Sequence, residues 1–127
     1  ERERQGGEIP PIAGVQVQAA LAGLKKTLLK NLVIAYEPVW AISTSYGADE
    51  SCAPDMIFQA RLAIEKTVAG MYDQNTARTL RIIYGGSVGP DTIASVISAG
   101  RMDGALVGNA SLNAETFGRI VRGAASA

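Results

Sequence analysis

The chain has 127 residues, 47% of them hydrophobic and 6% aromatic, a composition that suits one soluble globular α/β domain and argues against disorder. Twelve basic and twelve acidic residues cancel and are scattered along the chain, which speaks against nucleic acid or an anionic membrane as a partner. One cysteine, Cys52, rules out an internal disulfide, and no apolar run reaches the roughly 18 residues of a spanning helix. The opening residues, ERERQGGE, lack the apolar core of a secretory signal, so the expected compartment is the cytoplasm.

From Pro10 to Leu32 the apolar positions Ile12, Val15, Ala19, Leu21, Leu24, Leu28 and Leu32 fall mostly at three- and four-residue steps, which predicts one amphipathic helix. Its Lys25, Lys26 and Lys30 lie toward the C-terminal end, where the helix dipole favours cations. Leu32 to Tyr36 is a short apolar run with β-branched members, the pattern of a strand buried on both faces. A long polar loop follows. Met56, Ala60, Ile64, Val68 and Met71 then form the stripe of a second helix from Pro54 to Tyr72. Arg81 to Gly86 reads as strand and turn, and Asp91 to Ala99 as a short helix that Gly100 can close in a left-handed cap. Gly104 to Asn109 is strand and turn again. Asn113 can cap a last helix that carries Phe117, Ile120 and Val121 inward.

Helices alternate with three short apolar strands, and no domain boundary interrupts residues 1–127. The pattern predicts an α/β fold on a parallel sheet, with function at the C-terminal ends of the strands. The loops at those ends read EPVWAISTSYGADESCAPD, GGSVGPD and GNASLN, and they hold nearly all the unusual chemistry of the chain.

In GGSV, Gly85 to Val88, two glycines leave a strand ahead of a hydroxyl residue, so main-chain N–H groups can face an anion. VGNASL, Val107 to Leu112, repeats the design. Each alone is more often a plain tight turn, whereas two on consecutive strands can converge on one phosphate. Glu37, in AYEPVWAI, ends the first strand. It reads either as a carboxylate paired with an arginine or capping a helix, or as a general base. Pro38 favours the second reading, because it biases Glu37 to extended backbone and so fixes where the side chain points. Trp40 and Ile42 are placed to keep water from the site, although Trp40 serves equally well as core packing.

Together AYEPVWAI, IIYGGSV and GALVGNASL resemble the triosephosphate isomerase family, in order and spacing, along essentially the whole chain. The resemblance implies a (β/α)8 barrel of which residues 1–127 are the C-terminal part of a single domain, with three of its parallel strands. It implies interconversion of dihydroxyacetone phosphate and glyceraldehyde 3-phosphate through an enediol, in glycolysis and gluconeogenesis, with no cofactor and no metal. By position, Glu37 matches the catalytic base. Ser43, Ser87, Gly108 and Asn109 match the groups that hold the substrate phosphate, Trp40 belongs to the hinge of a closing lid, and Tyr84 matches the tyrosine that holds the lid shut. The implied partners are a triose phosphate, the N-terminal half of the barrel and, for the complete enzyme, a second copy in a homodimer.

The chain departs from the family where Ser43 and Ser45 stand for lid glycines, Tyr46 for a lysine and Asn109 for a glycine. Backbone donors survive such changes, and Asn tolerates left-handed backbone better than other non-glycine residues. Cys52, with no histidine or second cysteine in the chain, reads as an inert loop thiol. A full barrel needs roughly 250 residues. The chain contains no histidine, so the family's electrophile is absent from it and the fragment alone is expected to be inactive. Two other readings fit the same residues: another sugar-phosphate enzyme on a (β/α)8 barrel, and a non-catalytic half-barrel that binds phosphates or a partner subunit.

Overall fold

The computed structural model of the protein describes residues 9–42 and 52–127. Helix α1 spans Ile9–Leu21 and a single turn, α2, spans Lys26–Leu29. The predicted long helix is therefore broken. Gly23 sits at φ 77°, with nothing near the place of a Cβ, so it is the backbone conformation that asks for glycine there. The Tyr72 hydroxyl reaches across from the next helix to the carbonyls of Leu21 and Leu24, 3.0 Å from each, and takes up acceptors left by the break.

Strand β1 covers Val33–Tyr36, and α3 covers Pro54–Met71, close to the predicted bounds. Pro54 begins α3 where its missing N–H costs nothing. Ile57, Ala60, Ile64 and Val68 form its buried stripe, while Met56 and Met71 are only partly covered. α1 packs chiefly on α3 through Ala13, Val17 and Leu21. A short helix absent from the sequence reading follows: α4, Gln74–Thr79, whose N-terminus Asp73 caps by accepting from the Thr76 N–H at 2.9 Å.

Strand β2, Arg81–Tyr84, pairs parallel with β1 in the register Val33 to Arg81, Ile34 to Ile82, Ala35 to Ile83 and Tyr36 to Tyr84. The third predicted strand shrinks to one parallel bridge, Tyr84 to Ala105. Its physical cause is a bulge. Ile82 and Tyr84 are two residues apart, yet their carbonyls accept from the N–H groups of Asp103 and Leu106, which are three apart. The Asp103 carboxylate, held by Arg61 at 2.9 Å, takes the Ile82 N–H at 2.8 Å, a place that a main-chain carbonyl fills in a regular ladder.

Helix α5 spans Ile93–Ser98 and α6 spans Ala114–Ala125. The left-handed residue after α5 is Arg101, at φ 52°, and not Gly100. Gly100 answers to space instead: a Cβ there would lie 2.5 Å from the Val96 carbonyl oxygen and 2.9 Å from Ile57 Cγ2. Asn113 caps α6 as expected, accepting from the Thr116 N–H. Of the three side chains expected inward only Ile120 is buried, while Phe117 and Val121 are 40% and 52% exposed.

β1 is also less covered than its composition predicts. Val33 and Ala35 are exposed, Ile34 is half-buried, and only Tyr36 is buried. Among the described residues β1 has a hydrogen-bonded neighbour on one side only. An apolar groove of about 420 Å3, lined by Val17, Leu21, Leu24, Leu32, Val39 and Trp40 among others, runs along it and also takes in Glu37.

Candidate active site

The site gathers where β1 and β2 end. Glu37 is the first residue past β1, and Pro38 behind it is fully buried at φ −67°. The Ala41 N–H bonds back to the Pro38 carbonyl at 2.9 Å, which winds Val39–Ala41 into one tight turn. Ala41 is wholly buried, and Trp40 is half-buried against the core. The backbone around Glu37 is thus anchored on both sides while its side chain is exposed. Trp40 and Ile42 therefore do not enclose the carboxylate in the way the sequence suggests.

The loop after β2 is bonded to this segment at two points. The Gly85 N–H donates to the Tyr36 carbonyl at 2.8 Å, and the Ser87 N–H donates to the Ala41 carbonyl at 2.7 Å. The Glu37 side chain lies directly over Gly85. A Cβ at Gly85 would stand 2.6 Å from Glu37 Cγ and 3.0 Å from Oε1. At Gly86 a Cβ would overlap the Tyr84 Cζ and, more closely still, the hydroxyl oxygen. Neither glycine has a positive φ. Both are there because of what occupies the space beside them.

Tyr84 is 1% exposed, and its ring lies 6.4 Å from that of its register partner Tyr36, tilted by 44°. Burial, then the nearby Cys52 thiol, push both hydroxyls well above the ordinary phenol range. The Cys52 main-chain N–H acts on Tyr84 in the opposite direction. By geometry neither hydroxyl has a hydrogen-bond partner among the described residues. Cys52 is a loop residue just before α3, as expected, and it is buried and packed into the core.

The second glycine turn differs. Gly108 and Asn109 are exposed, no atom stands within 4 Å of the place of a Cβ on Gly108, and Asn109 has no left-handed backbone. The Gly108 carbonyl closes the turn by accepting from the N–H and the hydroxyl of Ser111, at 2.9 and 2.7 Å. The structure therefore brings Glu37, Trp40, Tyr84 and Ser87 into one bonded unit. Gly108 and Asn109 follow the bridged Ala105 on the far side of β2 and do not line the groove at Glu37. Ser43 lies outside the described residues. Gly85 and Ala41 are the members that sequence reasoning missed: Gly85 counted only as a turn residue, and nothing in an alanine announces that its carbonyl holds the Ser87 N–H.

Parallel α/β topology, with a carboxylate and glycine turns at the strand ends, fits part of a (β/α)8 barrel. Comparison with known proteins narrows the class. A family model described as triosephosphate isomerase matches residues 1–124. The chain is 44% identical over 119 residues to the triosephosphate isomerase of Chloroflexus aurantiacus, an alignment covering 94% of this chain and 46% of that relative. The chain belongs to the triosephosphate isomerase family. It spans about half the length of the curated relative it matches.

Proposed function

We propose that residues 1–127 are the C-terminal part of a (β/α)8 barrel that interconverts dihydroxyacetone phosphate and glyceraldehyde 3-phosphate, with Glu37 as the base. The observation that carries this reading is the seating of Glu37: an exposed carboxylate on anchored backbone at the C-terminal end of a strand, where parallel α/β folds place their sites. A base so held is positioned before the substrate binds, and positioning is a large share of what an enzyme supplies. Proton transfer then runs from one substrate carbon to the carboxylate and back to the neighbouring carbon, through an enediol.

Phosphate recognition by main-chain donors at Ser87, Gly108 and Asn109 goes with this reading, as does Ser43 from the lid. The Ser87 N–H already has a partner in the Ala41 carbonyl. A phosphate that takes this donor must break that bond, and so loosens the turn that follows Glu37. Substrate binding and movement of the hinge are coupled through one hydrogen bond. The developing enediolate also needs an electrophile, and with no histidine in the chain this half does not supply the usual one. The active form is then a completed barrel, in the cytoplasm and paired as a homodimer.

The test is isomerase turnover of residues 1–127 alone and with the N-terminal half of the Chloroflexus aurantiacus relative supplied in trans. The expected result is none alone and measurable turnover together. In the mixture, Glu37→Gln should lower turnover at least about 10²-fold while phosphate-analogue affinity stays within a few fold. Comparable turnover with glutamine at position 37 would remove Glu37 from the mechanism.

A further inference from the structure

We propose that Gly85 is a positioning residue for the Glu37 carboxylate: its missing side chain is the seat on which the base rests. The inference rests on the reading of Glu37 as the base, and it adds a residue whose expected part was only to bend the chain and offer an N–H. Three observations carry it. The first is contact: a Cβ at Gly85 would lie 2.6 Å from Glu37 Cγ, 3.0 Å from Oε1 and 3.3 Å from Cδ, so even the smallest side chain occupies the volume the base now fills.

The second is that both backbones are anchored. Gly85 is tied by its N–H to the Tyr36 carbonyl at 2.8 Å, immediately after the register pair Tyr36 and Tyr84. Glu37 sits between Tyr36 and the fully buried Pro38, whose ring limits φ. The third is that conformation does not demand glycine here, since φ at Gly85 is not positive. With both backbones anchored, the Glu37 side chain is the part that yields when a methyl group is added. Because that side chain is exposed, it can rotate into solvent at little cost. Gly85→Ala should therefore fold normally and misplace the base. A misplacement of about 1 Å costs on the order of 10²-fold in rate, without loss of the groups that bind substrate.

The experiment has a structural arm and a kinetic arm. In residues 1–127 labelled with 13C at glutamate carboxyls, the Glu37 resonance, assigned by its loss in Glu37→Gln, should shift in Gly85→Ala while the remaining glutamate resonances stay in place. An unshifted Glu37 resonance overturns the proposal. Thermal melts of Gly85→Ala, Glu37→Ala and the double variant add a control on folding: any destabilisation by Gly85→Ala should vanish when the Glu37 side chain is already absent. Equal destabilisation with and without that side chain would mean the methyl group meets something else, and would overturn the proposal. In the barrel completed in trans, Gly85→Ala should lower kcat by about 10- to 10²-fold and leave KM within about threefold. Loss of turnover in Glu37→Gln together with full turnover in Gly85→Ala refutes the seat while leaving the base intact. Full turnover in Glu37→Gln refutes the base, and the resonance arm then still decides whether Gly85 seats the side chain.

Discussion

Two glycine turns that look alike in the sequence, Gly85 to Ser87 and Gly108 to Asn109, are built on different physics. The first is crowded: Glu37 fills the space beside Gly85, Tyr84 fills the space beside Gly86, and the Ser87 N–H is bonded to the Ala41 carbonyl. The second is open, with Gly108 exposed and no neighbour near its Cα on the side where a Cβ would stand. A glycine after a strand can thus mean that something else needs the room, or that a backbone must stay approachable. Only the surroundings tell the two apart. In the crowded turn glycine serves other side chains of the protein, and in the open turn it leaves the main chain exposed.

The contrast is sharpest for stability. Gly86→Ala puts a methyl group against the Tyr84 hydroxyl, and Tyr84, 1% exposed in the core, has nowhere to retreat. Overpacking of this kind costs about 3 kcal/mol, at the upper end of the usual range. Gly108→Ala adds the same methyl group to open space and should change stability by no more than about 0.5 kcal/mol. Urea unfolding of both variants checks the pair. Equal losses would mean that the two turns are equivalent after all and that the crowding around Gly86 relaxes freely.

How much of this was legible follows the same division between local pattern and spatial neighbourhood. β1, α3 and β2 emerged with nearly correct bounds because each carries a strong apolar signal bounded by a proline, a polar loop or a glycine. The fusion of α1 and α2 into one helix failed because the stripe Leu21, Leu24 and Leu28 keeps helical spacing across Gly23, and periodicity does not register a left-handed residue. α4 was invisible for the opposite reason: QNTART has no apolar stripe, and its start depends on the Asp73 cap. The third strand was overstated because Asp103 competes for the ladder, which its residue type does not reveal. At the candidate site, the place of Glu37 at the end of β1 was legible through the apolar run before it and Pro38 after it. The bonds from Gly85 and Ser87 to the Tyr36 and Ala41 carbonyls were not, since any residue could supply those acceptors.

Ligand binding should separate the turns in the other direction. Gly108 sits at φ −82°, close to what a proline ring imposes, and at ψ −122°, which lies outside the regions proline prefers, so Gly108→Pro removes one N–H and the fold has to be followed alongside the affinity. If the open turn is a phosphate cradle, a phosphate analogue should bind the completed barrel at least about tenfold more weakly, a change of roughly 1.4 kcal/mol. Calorimetry reads the affinity and circular dichroism the fold. Unchanged affinity with an intact fold would place the phosphate elsewhere and leave the open turn without a function.

The smallest expected effect lies away from both turns and provides the baseline for comparing them. Asp73 caps α4, accepting from the Thr76 N–H and pairing with Lys26, and these contacts, the Lys26 partner first, lower its pKa from 3.8 to about 2. A carboxylate whose folded value is depressed stabilises the fold at pH above its unfolded value. That contribution fades as pH falls from about 3.8 through about 2, where the folded form also takes up its proton. Because Asp73 lies at the surface, salt should weaken the effect. Melting residues 1–127 and Asp73→Asn between pH 5 and pH 2 tests this: the variant should melt lower than the parent at pH 5, and the gap should narrow as the acid limit is approached. Gly86→Ala and Gly108→Ala place no titrating group in the chain, so the difference between their melts should stay constant over the same range. A difference that changes with pH would show that the two turns do not share the same acid response, and that Asp73 is not its only source.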